Sequence, residues 1–287
     1  MKSKNISVYL FLIVPLIIYI IIFVIPNVKV IVYSFYNWNG LDTNMEFVGL
    51  NNYLRLLKDS IFWYAFINTF KYVFSLVIVQ NSIGLLIAIL IYKKSKTNIL
   101  FRTLIFLPAM FSSVAVGLIW NYIYDSNIGL LNYILEVLGL ESFQKFWLMD
   151  SSIAIFTVVS VHIWIGVGYA TILFIAGLHN IPIAIYDSAK VDGVNMFQNF
   201  VHITIPLLKR TIVLVIIITL IGGFVSFDFV YVMTKGGPDH SSEVLATYLY
   251  KQGFEFLNVG YSSAIAIVLV LFVLIFSVIQ LKAVREF

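Results

Sequence analysis

The sequence predicts an all-α integral membrane protein with six transmembrane helices, and three observations carry that prediction. Hydrophobic residues make up 61% of the 287 positions and charged residues only 11%, whereas soluble chains carry roughly a quarter charged residues. Six apolar runs reach the roughly 20 residues that a helix needs to cross a hydrocarbon core of about 30 Å. The runs are continuous rather than alternating, which favours helices over barrel strands, the other structure that satisfies every backbone group in lipid.

The spans are expected at 8–28, 72–92, 103–124, 152–178, 211–233 and 261–281. The first is longer than the apolar stretch of a signal peptide, and the bulky Val28-Lys29-Val30 after it is a poor cleavage site. It is read as an uncleaved span, bent at Pro15 or Pro26. Between the first two spans, Trp38-Asn39-Gly40 reads as a turn. Tyr53, Leu56, Leu57, Ile61 and Tyr64 then recur at helical spacing, as in an amphipathic helix along the outer face. Gln80 and Asn81 fall near the middle of the second span and are read first as interhelix hydrogen-bonding groups, with ligand contact as the alternative. The third span opens at Leu107-Pro108 and closes on Trp120-Asn121-Tyr122. The fifth ends on Phe227-Asp228-Phe229-Val230, before a rigid exit turn at Thr234–Pro238. No repeat is evident, so one membrane domain over 1–287 is the economical description.

Lys and Arg set the orientation. With the N-terminus inside, the inner segments 1–7, 93–102, 179–210 and 282–287 hold 11 of the 18 basic residues at about three times the density of the outer ones. Both termini are therefore expected in the cytoplasm of a multi-pass protein of the cell (plasma or inner) membrane. The chain has no Cys, which excludes disulfides, thiolate zinc sites and cysteine nucleophiles. The four histidines are scattered, and neither HExxH nor GxxxxGK[ST] occurs, so a zinc protease or a self-contained ATPase has no support. No metal site, no cofactor of the chain's own and no nucleic-acid partner are expected.

The inner segment 179–210 is longer than a connection between spans requires, and long ordered loops tend to be functional. Asn180 and Pro182 suit a helix start, Asp192-Gly193 a helix stop, and Asn195 with Gln198 a second N-terminal cap. Phe197, Phe200, Val201 and Thr204 recur on one face, and Pro206 is expected to stop that second helix before the fifth span. The result is a cytoplasmic helix-turn-helix with small residues at Ser188 and Ala189, suited to a groove on a partner. The bland alternative is an ordinary connecting loop.

In the fifth span Thr219, Gly222, Gly223 and Ser226 fall at i, i+3, i+4 and i+7, a small and weakly polar stripe that suits either close helix packing or a cavity wall. Asp228, near the outer end, is the one carboxylate placed in a span and is expected to face protein or water, as a structural pair or a substrate contact. Trp164, Gly166 and Tyr169 in the fourth span offer an aromatic wall or ordinary core.

Tyr186-Asp187-Ser188-Ala189-x-x-Asp192-Gly193, followed by Phe200, Ile203 and Pro206, resembles the "EAA" loop of permease subunits of ABC importers. Asp stands for the usual Glu, Ser for the first Ala and Val194 for the last. Phe47–Tyr53, Leu107-Pro108, Trp164 with Gly166, and Lys235-Gly236-Gly237-Pro238 are also similar to sugar-type, maltose-permease-like members of this binding-protein-dependent family. The resemblance implies that Tyr186, Asp187, Ser188, Ala189, Asp192, Gly193 and Pro206 couple to an ATPase. It further implies that Thr219, Gly222, Gly223 and Ser226 line a substrate path, to which Gly166, Tyr169 and Asp228 are added as candidates from their place in the spans. Its implied partners are a second homologous permease, two copies of a cytoplasmic ATPase that bind ATP and Mg, and an extracytoplasmic sugar-binding protein. The implied substrate is a sugar, an oligosaccharide or glycoside, with a glycerol-phosphate ester still open. The competing reading is a secondary transporter driven by an ion gradient, which commonly shows inverted repeats and intramembrane ionisable groups; a scaffold that only recruits an ATPase would explain the loop but not the stripe.

Overall fold

Apolar runs interrupted by Pro, Gly and short polar clusters give a nearly all-helical chain. The structure is a computed structural model and describes residues 3–285; the termini assigned to the cytoplasm lie outside the described residues. In chain order the helices are α1 (Ser3–Tyr19), α2 (Ile25–Tyr33), α3 (Asn51–Lys58), α4 (Ser60–Ser75), α5 (Asn81–Ile91), α6 (Lys96–Phe106), α7 (Ser113–Ile123) and α8 (Leu130–Val137). There follow α9 (Ala154–His179), α10 (Ile183–Val191), α11 (Met196–Asn199), α12 (Ile205–Phe224), α13 (Asp228–Met233), α14 (Leu245–Tyr250) and α15 (Val259–Arg285). Among the described residues five continuous helices are long and apolar enough to cross a membrane: Phe11–Tyr33, Ser60–Ile91, Ala154–His179, Met196–Phe224 and Val259–Gln280. The pair Lys96–Met110 and Ser113–Ile123 makes a sixth if counted together.

The differences from expectation have local causes. The 103–124 run bends by 96°, because Pro108 sits in a single 3₁₀ turn and Phe111 and Ser112 are extended. The second span starts at Ser60 rather than near 72. The amphipathic helix expected through Tyr64 is broken at Asp59, whose backbone is extended. Pro206 does not end a helix, and it lies within one as Pro26 does. Each follows an Ile directly after a five-residue π turn, Ile20–Val24 and Phe200–Thr204, and Ile25 and Ile205 bond five residues back, to Ile20 and Phe200. The wider turn takes up the hydrogen bond that a proline cannot make and relieves the clash with the preceding turn. The fifth span therefore starts at Met196 and ends at Phe224, not at 211 and 233.

The chain divides into two compact units: the residues up to Ser60 with Tyr248–Phe272, and Ile61–Thr247 with the residues from Val273. In the first, β1 (Tyr36–Asn37) pairs antiparallel with β2 (Glu46–Phe47). Their connection carries the expected turn, with Gly40 at φ +84° and the Asn39 side chain accepting from the Leu41 and Asp42 amides. The Asn52 amide donates to the Ser34 and Tyr36 carbonyls at 2.9 Å and fixes α3 against the hairpin. Asp59 accepts from both Tyr248 and Tyr261, and Arg55 lies 4.1 Å over the Tyr261 ring. Burial, then the bond to Asp59, pushes the Tyr248 hydroxyl well above its usual range, so it remains a donor.

In the second unit, α5 packs along α9, α12 against α9, and α13 against α7. Lipid tails are as apolar as Leu, so close approach rather than burial holds such helices together. Gly84 shows this: a Cβ there would lie 2.9 Å from that of Ala170. The Arg102 guanidinium on α6 donates to the carbonyls of Ile91 and Tyr92, closing the end of α5, where the last carbonyls have no partner in the helix.

Candidate functional site

One cluster of polar side chains in the second unit meets where α12 breaks. Val225 to Phe227 leave the helix, and α13 starts at Asp228, whose negative charge suits a helix N-terminus. Ser226 donates to the Tyr72 hydroxyl at 3.1 Å, and that hydroxyl lies 2.9 Å from His162 Nδ1. The Ser113 hydroxyl, at the start of α7, donates to Asp228 Oδ2 at 2.5 Å. Beside this network is a cavity of about 340 Å³ lined by Phe111, Ser113, His162, Ile165, Gly222, Val225, Ser226, Phe227, Asp228 and Phe229. A concave, largely apolar wall with a few convergent polar groups is the usual form of a small-molecule site.

Three of the substrate-path candidates, Gly222, Ser226 and Asp228, come together at this cavity. The stripe does not hold as one face, because Ser226 lies beyond the end of α12. Nothing stands within 4 Å of a Cβ built on Gly222, whereas one on Gly223 would meet Leu76 Cδ1 and Val73 Cγ2 at 3.2 Å. Thr219 is buried and donates to Asn81 Oδ1 at 3.1 Å, so Asn81 does bond between helices. Gly166 abuts the Gln80 amide group. Tyr169 is half exposed and lines no part of the cavity, while Trp164 packs edge-on to Trp120. Sequence reasoning missed Tyr72, Ser113 and the three phenylalanines; in a chain with 25 Phe, nothing in their spacing separates these three from the rest. It missed equally the Glu243 carboxylate, fully buried and 3.1 Å from His240 Nδ1.

The second cluster is the 179–210 segment. Asn180 starts no helix; it ends α9, its amide bonded to the Gly177 carbonyl, and Pro182 is the residue before α10. α10 ends where Gly193 takes φ +73°, a left-handed conformation that favours glycine. Asn195 and Gln198 then form the reciprocal capping box. Ala189 is buried, not part of a small-residue surface, while Asp187 and Ser188 are exposed. Asp187 pairs with Lys190 one turn on at 3.3 Å, and Tyr186 reaches Thr204 at 3.3 Å. Around them Ile183, Val191, Met196 and Phe197 are each at least 72% exposed. Pro206 lies inside the Met196–Phe224 helix.

Residues 80–285 match the family described as the binding-protein-dependent transport system inner membrane component. The chain belongs to this family. A relative, the probable ABC transporter permease protein YurN of Bacillus subtilis, is 36% identical over 98% of this permease and 97% of its own length. The arabinooligosaccharides transport system permease protein AraP of Bacillus subtilis is 35% identical over 98% and 89% respectively. Among solved structures, a chain of a bacterial ABC transporter involved in the import of the acidic polysaccharide alginate superposes with a TM-score of 0.86 at 21% identity, covering 99% of the permease and 96% of that chain. At that identity the likeness shows the fold alone. The permease is thus a multi-pass membrane transport subunit of an ABC importer.

Proposed function

We propose that the permease forms half of the path by which an ATP-driven importer moves a sugar, an oligosaccharide or glycoside, into the cell. The observation that carries this is the cavity at the α12–α13 break, which offers hydroxyl, imidazole and carboxylate groups among three phenyl rings. Sugars present hydroxyls around C–H faces, and such a wall suits both. AraP's name, which specifies arabinooligosaccharides, supports the sugar class.

A second homologous permease completes the path, and two copies of a cytoplasmic ATPase supply the energy, holding the ATP and Mg. An extracytoplasmic binding protein delivers the substrate. The whole chain acts as one permease domain with both termini in the cytoplasm. The 179–210 segment is the ATPase joint. The Tyr186 hydroxyl ties α10 to Thr204 of the following helix, Ala189 is buried, and Asp192-Gly193 turns the chain between the two helices. Asp187, Ser188 and the exposed apolar side chains meet the ATPase, and Pro206 sits where the joint enters the fifth span. The bias of Lys and Arg toward the inner segments supports this orientation.

The assembled transporter, reconstituted into vesicles with its binding protein, should take up labelled oligosaccharide only with ATP. Uptake driven by an imposed proton or sodium gradient without ATP would refute the proposal in favour of an ion-coupled carrier.

A further inference from the structure

The cavity bears a charge of one sign. Asp228 contributes a carboxylate, and no Lys or Arg is among the lining residues. Among the described residues no salt bridge reaches Asp228; its partner is the uncharged hydroxyl of Ser113. The imidazole does not offset the charge either. Ser226 spends its hydrogen on the Tyr72 oxygen, so the hydrogen of Tyr72 is left for His162 Nδ1, 2.9 Å away. A ring that accepts at Nδ1 carries its proton on Nε2 and is neutral. The polar inventory of the cavity is then one neutral ring with an N–H, two hydroxyls already engaged as donors, and one anionic acceptor with Oδ1 still available.

We propose that the cavity admits uncharged sugars and rejects uronates, and that Asp228 is the residue that discriminates. This rests on the sugar-importer reading above. A neutral sugar satisfies the carboxylate by donating hydroxyl hydrogens, and hydrogen bonds to an ionised acceptor are the strong kind. A uronate brings a second carboxylate within a few ångströms of the first, and like charges that close disfavour each other's ionised form. The walls, Phe111, Ile165, Val225, Phe227 and Phe229, provide no countercharge, and because Asp228 is exposed in this chain the repulsion is open to screening by salt. The competing role for Asp228 is purely structural: it begins α13 and ties it to α7 through Ser113.

The test uses the assembled transporter in lipid nanodiscs without its binding protein, which would otherwise impose its own selection. Maltotriose and arabinotriose serve as neutral probes and tri-galacturonate as the acidic one, with binding read by saturation-transfer NMR titration. The wild type is expected to bind at least one neutral probe about tenfold or more tighter than the uronate, with the gap narrowing at high salt as screening grows. Asp228→Asn, which keeps the size and an acceptor, should cut that ratio about tenfold, chiefly by admitting the uronate. Equal binding of neutral and acidic probes by the wild type, or an unchanged ratio in the variant, would overturn Asp228 as discriminator and leave the sugar reading standing. Binding of no probe by either protein would overturn both.

Discussion

Two adjacent glycines should respond to the same substitution in opposite ways. Gly223→Leu places its Cβ 3.2 Å from Leu76 Cδ1 and Val73 Cγ2, about half an ångström inside the usual carbon–carbon contact, with the branched end of the side chain still to be fitted. Overpacking of this kind costs about 1–3 kcal/mol, and removing a glycine from a helix interior returns up to about 1 kcal/mol. The net expectation is a loss of up to about 3 kcal/mol, seen as a lower melting temperature or a reduced yield of assembled complex. Gly222→Leu meets nothing within 4 Å and keeps the propensity gain of up to about 1 kcal/mol, so stability should hold or rise. Its side chain projects into the 340 Å³ cavity, and substrate uptake should be lost. Both variants are measured on the same preparations, with size-exclusion yield and thermal melting for assembly and ATP-driven uptake for function. Normal yield with normal uptake for Gly222→Leu would show that the cavity lies off the path. A collapsed yield for that variant would mean that Gly222 packs against a partner subunit, and the cavity argument would fail with it.

Other substitutions separate folding from function. Gly193→Pro cannot reach φ +73° with its ring fixed near −65°, so ATPase recovery in a pull-down and uptake should both fall while membrane insertion persists. Asp187→Asn should leave the melting temperature nearly unchanged, because an exposed pair such as that with Lys190 is worth about 0–1 kcal/mol; substrate-stimulated ATP hydrolysis should drop, and full stimulation would remove Asp187 from the joint. Thr219→Val removes the bond to Asn81 and should cost about 0.6–1.7 kcal/mol in unfolding within lipid, with uptake retained. Asp59→Ala takes the acceptor from Tyr248 and Tyr261; each buried donor left unpaired costs about 1–3 kcal/mol, and limited proteolysis around the 50–60 segment should accelerate.

The positions of the spans were legible because hydropathy reports directly on the one requirement lipid imposes. Their ends were less so. Tyr53 to Tyr64 reads as an outer helix and the second span is placed after Lys71, yet the span starts at Ser60, and Asn68 inside it is buried and donates to the His240 carbonyl, a partner 172 residues away. Pro206 looked like a stop because a proline's cost is local and visible, whereas the π turn that accommodates it leaves no distinctive residue. The capping box at Asn195 and the left-handed Gly193 could be read in advance, since both depend on neighbours within four residues. The cavity could be read only in part. Helical periodicity placed Thr219, Gly222, Gly223 and Ser226 together, but it could not say which glycine faced Val73, nor that the helix would stop before Ser226.

The π turn before Pro206 also has a mechanical consequence. Because the helix does not end there, Met196 and Phe224 are opposite ends of one rod of 29 residues, roughly 40 Å long at about 1.5 Å per residue. A hinge at the proline would let one end swing freely while the other stayed still. A helix that turns as one body gives leverage instead: a tilt of about 10° shifts the far end by roughly 7 Å over that length. Gly222 is two residues from the far end, so a displacement near the capping box at Asn195 reaches the cavity wall along one hydrogen-bonded helix, whose place to bend is the π turn and proline between them.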